Sequence, residues 1–429
     1  MKRKQSIHWL GLTCASTLWL SGCTEPARRL DESLPWHGDN RTRIDALIQQ
    51  HGRVSATLDA ARKPVAVFDW DNTVIKNDIG DATFFWMLRN DKVLQPPGKN
   101  WRVTSAHLTA DAAASLDLAC ATLAEPGQPL PTSTHAACAT ELVTVYTTAK
   151  TTAGKAAFAG WNYRTMEPTY AWAAQLQAGH TAAQSRAFAA SALEESLAAP
   201  QGATQKVGTV DGLTAWLRIY EQQKDLIATL QDNGWDVWVL SASPQAWVEA
   251  AAAKVNIAAD HVVGIRLVES NGKLTHDLQG CGDVAEGRND GAGTVTGNTL
   301  ITYIDGKRCW MNKVIYGDNT AAASRKNPDP AKRPVFAAGD SDTDLTFLQD
   351  ATGLKLAINR NKKELMCNAY ANAGGRWLVN PMFIEPRGQQ TSPYPCASTA
   401  CKNADGVSGP CVDEDGKPIA DQADSVFGP

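Results

Sequence analysis

Four short apolar runs stand out from the polar background of the chain: Val65-Ala66-Val67-Phe68, Trp235-Asp236-Val237-Trp238-Val239-Leu240, Val262-Val263-Gly264-Ile265 and Val335-Phe336-Ala337-Ala338. Each is rich in β-branched, aromatic or small residues and is closed by polar ones, the pattern of a strand buried on both faces. Leu354 to Ile358 is a candidate fifth strand. Helical stretches separate the strands, and a further helix is expected across Arg41 to Gln50. This alternation predicts an α/β fold, a doubly wound parallel sheet with helices on both faces. Residues 265–304 read as hairpins, with turns at Ser270-Asn271-Gly272 and Asn289-Asp290-Gly291.

Residues 79–225 have a different character. They are alanine-rich, with helices expected near 105–123, 137–157, 168–198 and 211–231 and no alternating strand pattern. Pro126-Gly127-Gln128-Pro129 and Pro200-Gln201-Gly202 break the segment into pieces. It reads as an α-helical cap inserted into the sheet domain. Beyond Pro381 the chain is rich in Pro, Gly, Ser and Asp and holds three cysteines. The expected organisation is a signal over 1–22, a lead and the first part of the core over 23–78, the cap over 79–225, the remainder of the core over 226–380 and a disulfide-tied tail over 381–429.

Composition changes this picture only at the ends. A hydrophobic fraction of 43% and a charged fraction of 20% are ordinary for a globular protein, and the formal net charge of −4 offers no electrostatic case for nucleic acid. The eight histidines form no HxH or HExxH spacing, so a zinc enzyme is unsupported. Lys2-Arg3-Lys4 followed by an apolar stretch from Trp9 to Leu20 has the form of an export signal, too short to span a membrane. Leu20-Ser21-Gly22-Cys23 resembles the bacterial lipoprotein signal, which is cut before the cysteine. That resemblance implies acylation at Cys23 and a membrane partner through the lipid. Thr24 after the cysteine implies the outer membrane, facing the periplasm, in a two-membrane bacterium. Setting Cys14 and Cys23 aside leaves eight cysteines and no CxxC spacing. In an oxidising compartment these favour disulfides over metal or redox chemistry. The nearest-neighbour pairing is Cys120–Cys138 and Cys281–Cys309, with two bridges among Cys367, Cys396, Cys401 and Cys411.

Candidate chemistry gathers at the strand ends. Asp69 and Asp71 lie just past the first strand, where two carboxylates are costly without a partner. A hard cation such as Mg²⁺ prefers oxygen ligands and suits phosphate chemistry. Ser241-Ala242-Ser243 follows the second strand, Lys307 or Lys313 belongs to a helix around 307–316, and Gly339-Asp340-Ser341-Asp342-Thr343-Asp344 follows the strand at 335–338. Ligands of open parallel sheets bind outside the carboxyl ends of the strands, so these residues can meet in one crevice.

The set DxDxT, Ser, Lys and GDxxxD over residues 62–360 resembles the haloacid-dehalogenase superfamily of hydrolases, in particular its phosphoserine and phosphorylcholine phosphatases with a helical cap after the first motif. The resemblance implies Asp69 as nucleophile, forming an aspartyl-phosphate, and Asp71 as general acid and then base. It implies Mg²⁺ held by the Asp69 side chain, the Asp71 carbonyl and Asp340. Ser241 would donate a hydrogen bond to a phosphoryl oxygen, and the lysine would offset charge. Lys307, following Gly306, is favoured over Lys313. Asp344 would orient the lysine or metal-bound water. Thr73 is placed with the substrate, and so is Asp78, nine residues after Asp69, as acceptor of a cationic head; Asp81 is its nearby competitor. Aspartate at 71 implies a phosphatase or phosphomutase, since the ATPases of the superfamily carry threonine there.

Several residues have blander readings. Asp342 faces solvent or caps a helix, Ser243 caps a helix, and Trp70 faces the sheet or cap. Trp86, Trp101, Trp161, Tyr163, Tyr170 and Trp172 of the insert either pack the cap core or surround a quaternary ammonium. The expected activity is an exported, Mg²⁺-dependent phosphomonoesterase for a small phosphorylated substrate, phosphorylcholine or phosphoserine among the candidates. The alternatives are an inactive ligand-binding lipoprotein on the same fold and a phosphotransferase or phosphomutase.

Overall fold

The computed structural model describes residues 27–52, 63–281 and 300–428, with the backbone of 288–289 and 295–296 between them. The signal segment and Cys23 lie outside the described residues. Six strands form the central sheet: β1 (Val65–Phe68), β2 (Asp236–Pro244), β3 (Val262–Ile265), β4 (Phe336–Gly339), β5 (Leu354–Asn359) and β6 (Trp377–Pro381). Their order is β6-β5-β4-β1-β2-β3, and every pairing is parallel. β6 was not among the expected strands. Its run is short and ends in Pro381, which an edge strand tolerates because no neighbour needs its N–H.

Helix α1 (Asn40–His51) precedes β1. The insert carries α2 (Ile79–Arg89), α3 (Ala110–Cys120), α4 (Ala136–Thr148), α5 (Pro168–Gln175) and α6 (Ala182–Ala198). α7 (Glu221–Asp232) and α8 (Gln245–Ala252) flank β2, α9 (Asp305–Tyr316) lies between β3 and β4, α10 (Leu345–Asp350) between β4 and β5, and α11 (Lys363–Ala371) between β5 and β6. Strand alternation sends Ala66, Phe68, Phe336 and Ala338 to one face, against Ile44 and Ile48 of α1 and Leu226, Ile227 and Leu230 of α7. Val67 and Ala337 point to the other, against Trp310 of α9, Phe347 and Leu348 of α10 and Leu365 of α11. Burial on both faces is why the strands read as continuous apolar runs.

The insert leaves the core through a narrow neck, where Ile75–Lys76 pairs antiparallel with Arg218–Ile219. Its helices pack on a core of their own that includes Phe84, Trp101, Leu116, Leu142 and Trp172. Three expected helices are drawn differently. The one expected over 137–157 ends at Thr148, with Ala149 at φ +53°. The stretch 168–198 is split into α5 and α6, with Gly179 at φ +89° between them. Residues 204–207 and 210–214 form a hairpin whose second strand takes the start of the helix expected over 211–231, and α7 begins only at Glu221. Gly208 at φ +56° makes the turn, and the Thr209 amide donates to Thr140 Oγ1 of α4 at 2.9 Å. The contact across 69 positions decides the conformation of a locally indifferent sequence. The Asn271-Gly272 turn forms as expected, both residues at positive φ, between the paired segments 267–270 and 273–278.

Four disulfides join Cys120–Cys138, Cys281–Cys309, Cys367–Cys396 and Cys401–Cys411. The last two tie the tail to α11 and to itself. No described helix is long and apolar enough to cross a membrane.

Candidate active site

The chain runs outward from β1 through β2 to β3, then returns to place β4 on the other side of β1. That reversal opens a crevice at the carboxyl ends of β1 and β4. Register pairs Phe68 with Ala338, so Asp69 comes level with Gly339 and Asp340 emerges one residue beyond. The Asp69 amide donates to the Ala338 carbonyl at 2.9 Å and extends the ladder to the site itself.

Carboxylate oxygens of Asp69, Asp340 and Asp344 lie within 4.8 Å of one another, and all three residues are buried. Thr73 Oγ1 sits between two of them, 2.9 Å from Asp69 Oδ2 and 3.0 Å from Asp340 Oδ1, where its one proton is shared. Lys307 Nζ is fully buried and donates to Asp69 Oδ1 at 2.7 Å and to Asp344 Oδ1 at 2.6 Å. Burial opposes its charge, but Asp344 and Asp69 outweigh that and raise its pKa, so the ammonium is held protonated. Asp344 Oδ2 accepts the amides of Asp340 at 2.9 Å and Ser341 at 3.0 Å, which closes the loop around the site. Gly339 permits this closure, because a Cβ there would stand 2.6 Å from Asp344 Cβ. Lys313 goes elsewhere: its Nζ reaches the Gly280 carbonyl at 2.8 Å and lies over the Trp310 ring.

Asp71 faces the cavity beside this cluster. Its Oδ1 accepts the Ile79 amide and its Oδ2 accepts the Ser243 hydroxyl, both at 2.7 Å. Burial, then repulsion from Asp78, pushes the Asp71 carboxyl well above the usual carboxylate range. Burial and the charges of Asp344 and Asp340 push Asp69 the same way, against the pull of Lys307.

Ser243, not Ser241, lines the cavity, so the hydroxyl at its wall is not the one expected. Ser241 is fully buried, and its Oγ accepts the Ser243 amide at 3.1 Å. The cause is the strand itself, which continues to Pro244 through an irregular register and carries the exposed wall two residues further along. Asp342 is half-buried and caps the start of α11, its Oδ1 accepting the Leu365 amide at 2.9 Å.

The cap side of the cavity is lined by Asp78, Tyr146 and Tyr170, with Trp247 of α8 behind. Asp78 caps α2, its Oδ1 accepting the amides of Gly80 and Asp81. Tyr146 donates to Asp81 Oδ1 at 2.8 Å. Burial and Asp78 raise the Asp81 carboxyl to about 7, against that hydrogen bond. Of the other aromatic residues, Trp101 and Trp172 are buried in the cap core, Trp86 stacks on Phe188, and Trp70 is buried in the sheet domain. Sequence reading missed Tyr146, Arg360 and Lys362 on the cavity wall. Arg360 Nη1 donates to Asp340 Oδ2 at 2.5 Å. Only the Asn359-Arg360 position just past β5, at the same sheet edge as Asp340, could have flagged it.

Five carboxylates, those of Asp69, Asp71, Asp78, Asp340 and Asp344, thus gather near three cationic side chains, Lys307, Arg360 and Lys362. The surplus of negative charge and the close carboxylate oxygens fit a hard divalent cation.

A haloacid dehalogenase-like hydrolase family model matches residues 147–349, a stretch that includes Ser241, Lys307, Asp340 and Asp344 and begins after Asp69 and Asp71. Over those residues the chain is similar to the haloacid dehalogenase-like hydrolases. A phosphorylcholine phosphatase of Pseudomonas aeruginosa is 27% identical over 208 residues, 45% of this chain and 56% of that protein. A phosphoserine phosphatase of Halobacterium salinarum is 40% identical over 76 residues, 18% of this chain and 35% of that protein. The chain therefore matches only about half, or a third, of the length of these relatives. A conserved protein of unknown function from Anaerococcus prevotii has the same fold, with a TM-score of 0.57 at 19% identity, covering 81% of this chain and 93% of that one.

Proposed function

We propose that this protein is a metal-dependent phosphomonoesterase working through an aspartyl-phosphate. The observation that carries the reading is the fully buried Lys307, shared between Asp69 and Asp344 behind a cavity whose wall holds Asp69, Asp71 and Asp340. The likeness to two phosphatases supports it. Asp69 Oδ attacks phosphorus, and the bond from phosphorus to the ester oxygen breaks. Asp71, whose carboxyl burial and Asp78 push toward the protonated form, delivers its proton to the leaving oxygen. In the second step Asp71 takes a proton from water, which attacks phosphorus and releases Asp69 and inorganic phosphate. Lys307 holds Asp69 in orientation and offsets its charge. Asp69 and Asp340 would hold Mg²⁺, whose charge offsets repulsion between nucleophile and phosphate.

The substrate we propose is a small phosphoester with a cationic head. Asp78 supplies a carboxyl group at the cap end, with Asp81 behind Tyr146, and Tyr146 and Tyr170 supply aromatic surface, the combination that receives an ammonium or quaternary ammonium. Phosphorylcholine and phosphoserine both qualify. Export and acylation at Cys23 complete the proposal, placing the enzyme at the outer membrane on the periplasmic side.

The test is hydrolysis of p-nitrophenyl phosphate with and without Mg²⁺, by wild type and Asp69→Asn. Equal rates for the two would remove the covalent mechanism. A panel of phosphorylcholine, phosphoserine, phosphoethanolamine and a sugar phosphate reads the head group, and a preference for the sugar phosphate would refute the cationic site. Radiolabelled palmitate incorporation lost in Cys23→Ala tests the anchor.

A further inference from the structure

The turn that launches α9 is strained. Ile304, β-branched and fully buried, sits at φ +44° and ψ −105°, a region such residues leave unless the surroundings hold them. Gly306 then passes so close to Ile301 that a Cβ would stand 1.9 Å from its carbonyl oxygen. Lys307 is the next residue, so this turn aims the ammonium at Asp69 and Asp344.

One side chain of the insert grips the turn from outside. Arg164 Nε and Nη2 form a two-pronged pair with Asp305, at 3.2 and 3.0 Å. The Asp305 amide donates back to the Arg164 carbonyl at 2.9 Å, and the Ile301 amide donates to the Thr165 carbonyl at 3.1 Å. The third nitrogen, Nη1, reaches Glu364 Oε1 of α11 at 2.6 Å and the Lys402 carbonyl of the tail at 3.2 Å. Glu364 adjoins Leu365, whose amide is taken by Asp342 between Asp340 and Asp344. A single guanidinium thereby spans the segment that carries Lys307 and the start of α11, which in turn holds the aspartate loop through Asp342, from a residue with no place on the cavity wall.

We propose that Arg164 is a positioning residue, through which the seated insert holds Lys307 and the Asp340–Asp344 loop in register. The proposal rests on the reading of Lys307 as part of the active site for its kinetic consequence, and on geometry alone for its structural one. The test therefore has two arms. Acetic anhydride labelling with mass spectrometry of each lysine is applied to wild type, Arg164→Ala and Arg164→Lys. In Arg164→Ala, labelling of Lys307 is expected to rise about tenfold or more, while Lys355, also buried but paired with Glu414, stays protected. Arg164→Lys should restore most of the protection.

In the second arm kcat for p-nitrophenyl phosphate falls about 10–100-fold in Arg164→Ala with KM little changed. Free guanidinium partly restores it there but not in Lys307→Ala. Unchanged Lys307 labelling in Arg164→Ala overturns the proposal, and so does an equal rise at Lys307 and Lys355, which would mean general loosening. Hydrolysis unaffected by Asp69→Asn would sink the phosphatase reading instead, while the labelling arm still decides the role of Arg164.

Discussion

Asp69, Asp71 and Lys307 divide the work of one site by their surroundings. Asp69 is paired with a cation, whereas Asp71 receives only neutral donors, so burial separates a nucleophile from an acid. Asp69→Asn is expected to lower kcat by about 10³-fold or more while leaving the fold intact. A circular dichroism spectrum matching wild type, together with stopped assays, would check both halves. Asp81 makes a separate prediction about pH. Its carboxyl is raised to about 7 in the folded protein against an ordinary 3.8. Below pH 4 it is protonated in both states; between about pH 4 and pH 7 the unfolded chain binds fewer protons, so the contribution to stability falls as pH rises. Asp81→Asn removes that slope. The variant should gain on wild type by roughly 1–3 kcal/mol from pH 5 to pH 8, measured as the difference in urea midpoints across that range.

At the scale of elements, the site depends on glycines that let loops approach. Gly306→Ala would place a methyl group 1.9 Å from the Ile301 carbonyl, and backbone must move because no flexible side chain is there to yield. The expected cost is about 2–4 kcal/mol, seen as a lower unfolding midpoint, with activity lost beyond what stability explains because Lys307 moves too. The motifs were legible as residues following apolar strands, and β1, β2 and β4 do bring them to one edge. Gly306 ahead of Lys307 favoured that lysine over Lys313, and the packing of α9 against β2 and β3 turns Lys307 to the carboxylates and Lys313 to the Gly280 carbonyl. Ser241 and Ser243 were indistinguishable along the chain, and a register irregularity in β2 selects the one on the wall. The hairpin at 204–214 was unreadable because its partner, Thr140, lies far away in sequence.

For the whole molecule, the tail is a strap. Cys367–Cys396 ties it to α11, Glu414 pairs with Lys355 and Arg376, and the Ala404 carbonyl accepts the Tyr163 amide of the insert. Replacing Cys367 and Cys396 by alanine is expected to destabilise the protein by about 2–4 kcal/mol, detected by calorimetry, with a larger loss on full reduction. The gathered carboxylates make a further prediction. Mg²⁺ should raise the melting temperature in a saturable way through preferential binding to the folded state, and a chelator should abolish hydrolysis until Mg²⁺ is returned. A melting curve indifferent to Mg²⁺ would count against the metal site.

Sequence by itself determined the class of sheet, the crevice and the kinds of side chain that enter it. These follow from burial on both faces of parallel strands and from polar residues placed where the strands end. Tertiary structure alone decided which serine lines the cavity, and that Tyr146, Arg360 and Arg164 belong to the same assembly. Those outcomes depend on strand register, helix crossing and contacts across 100 or more positions, such as the 141 that separate Arg164 from Asp305. Local pattern carries no record of such distances.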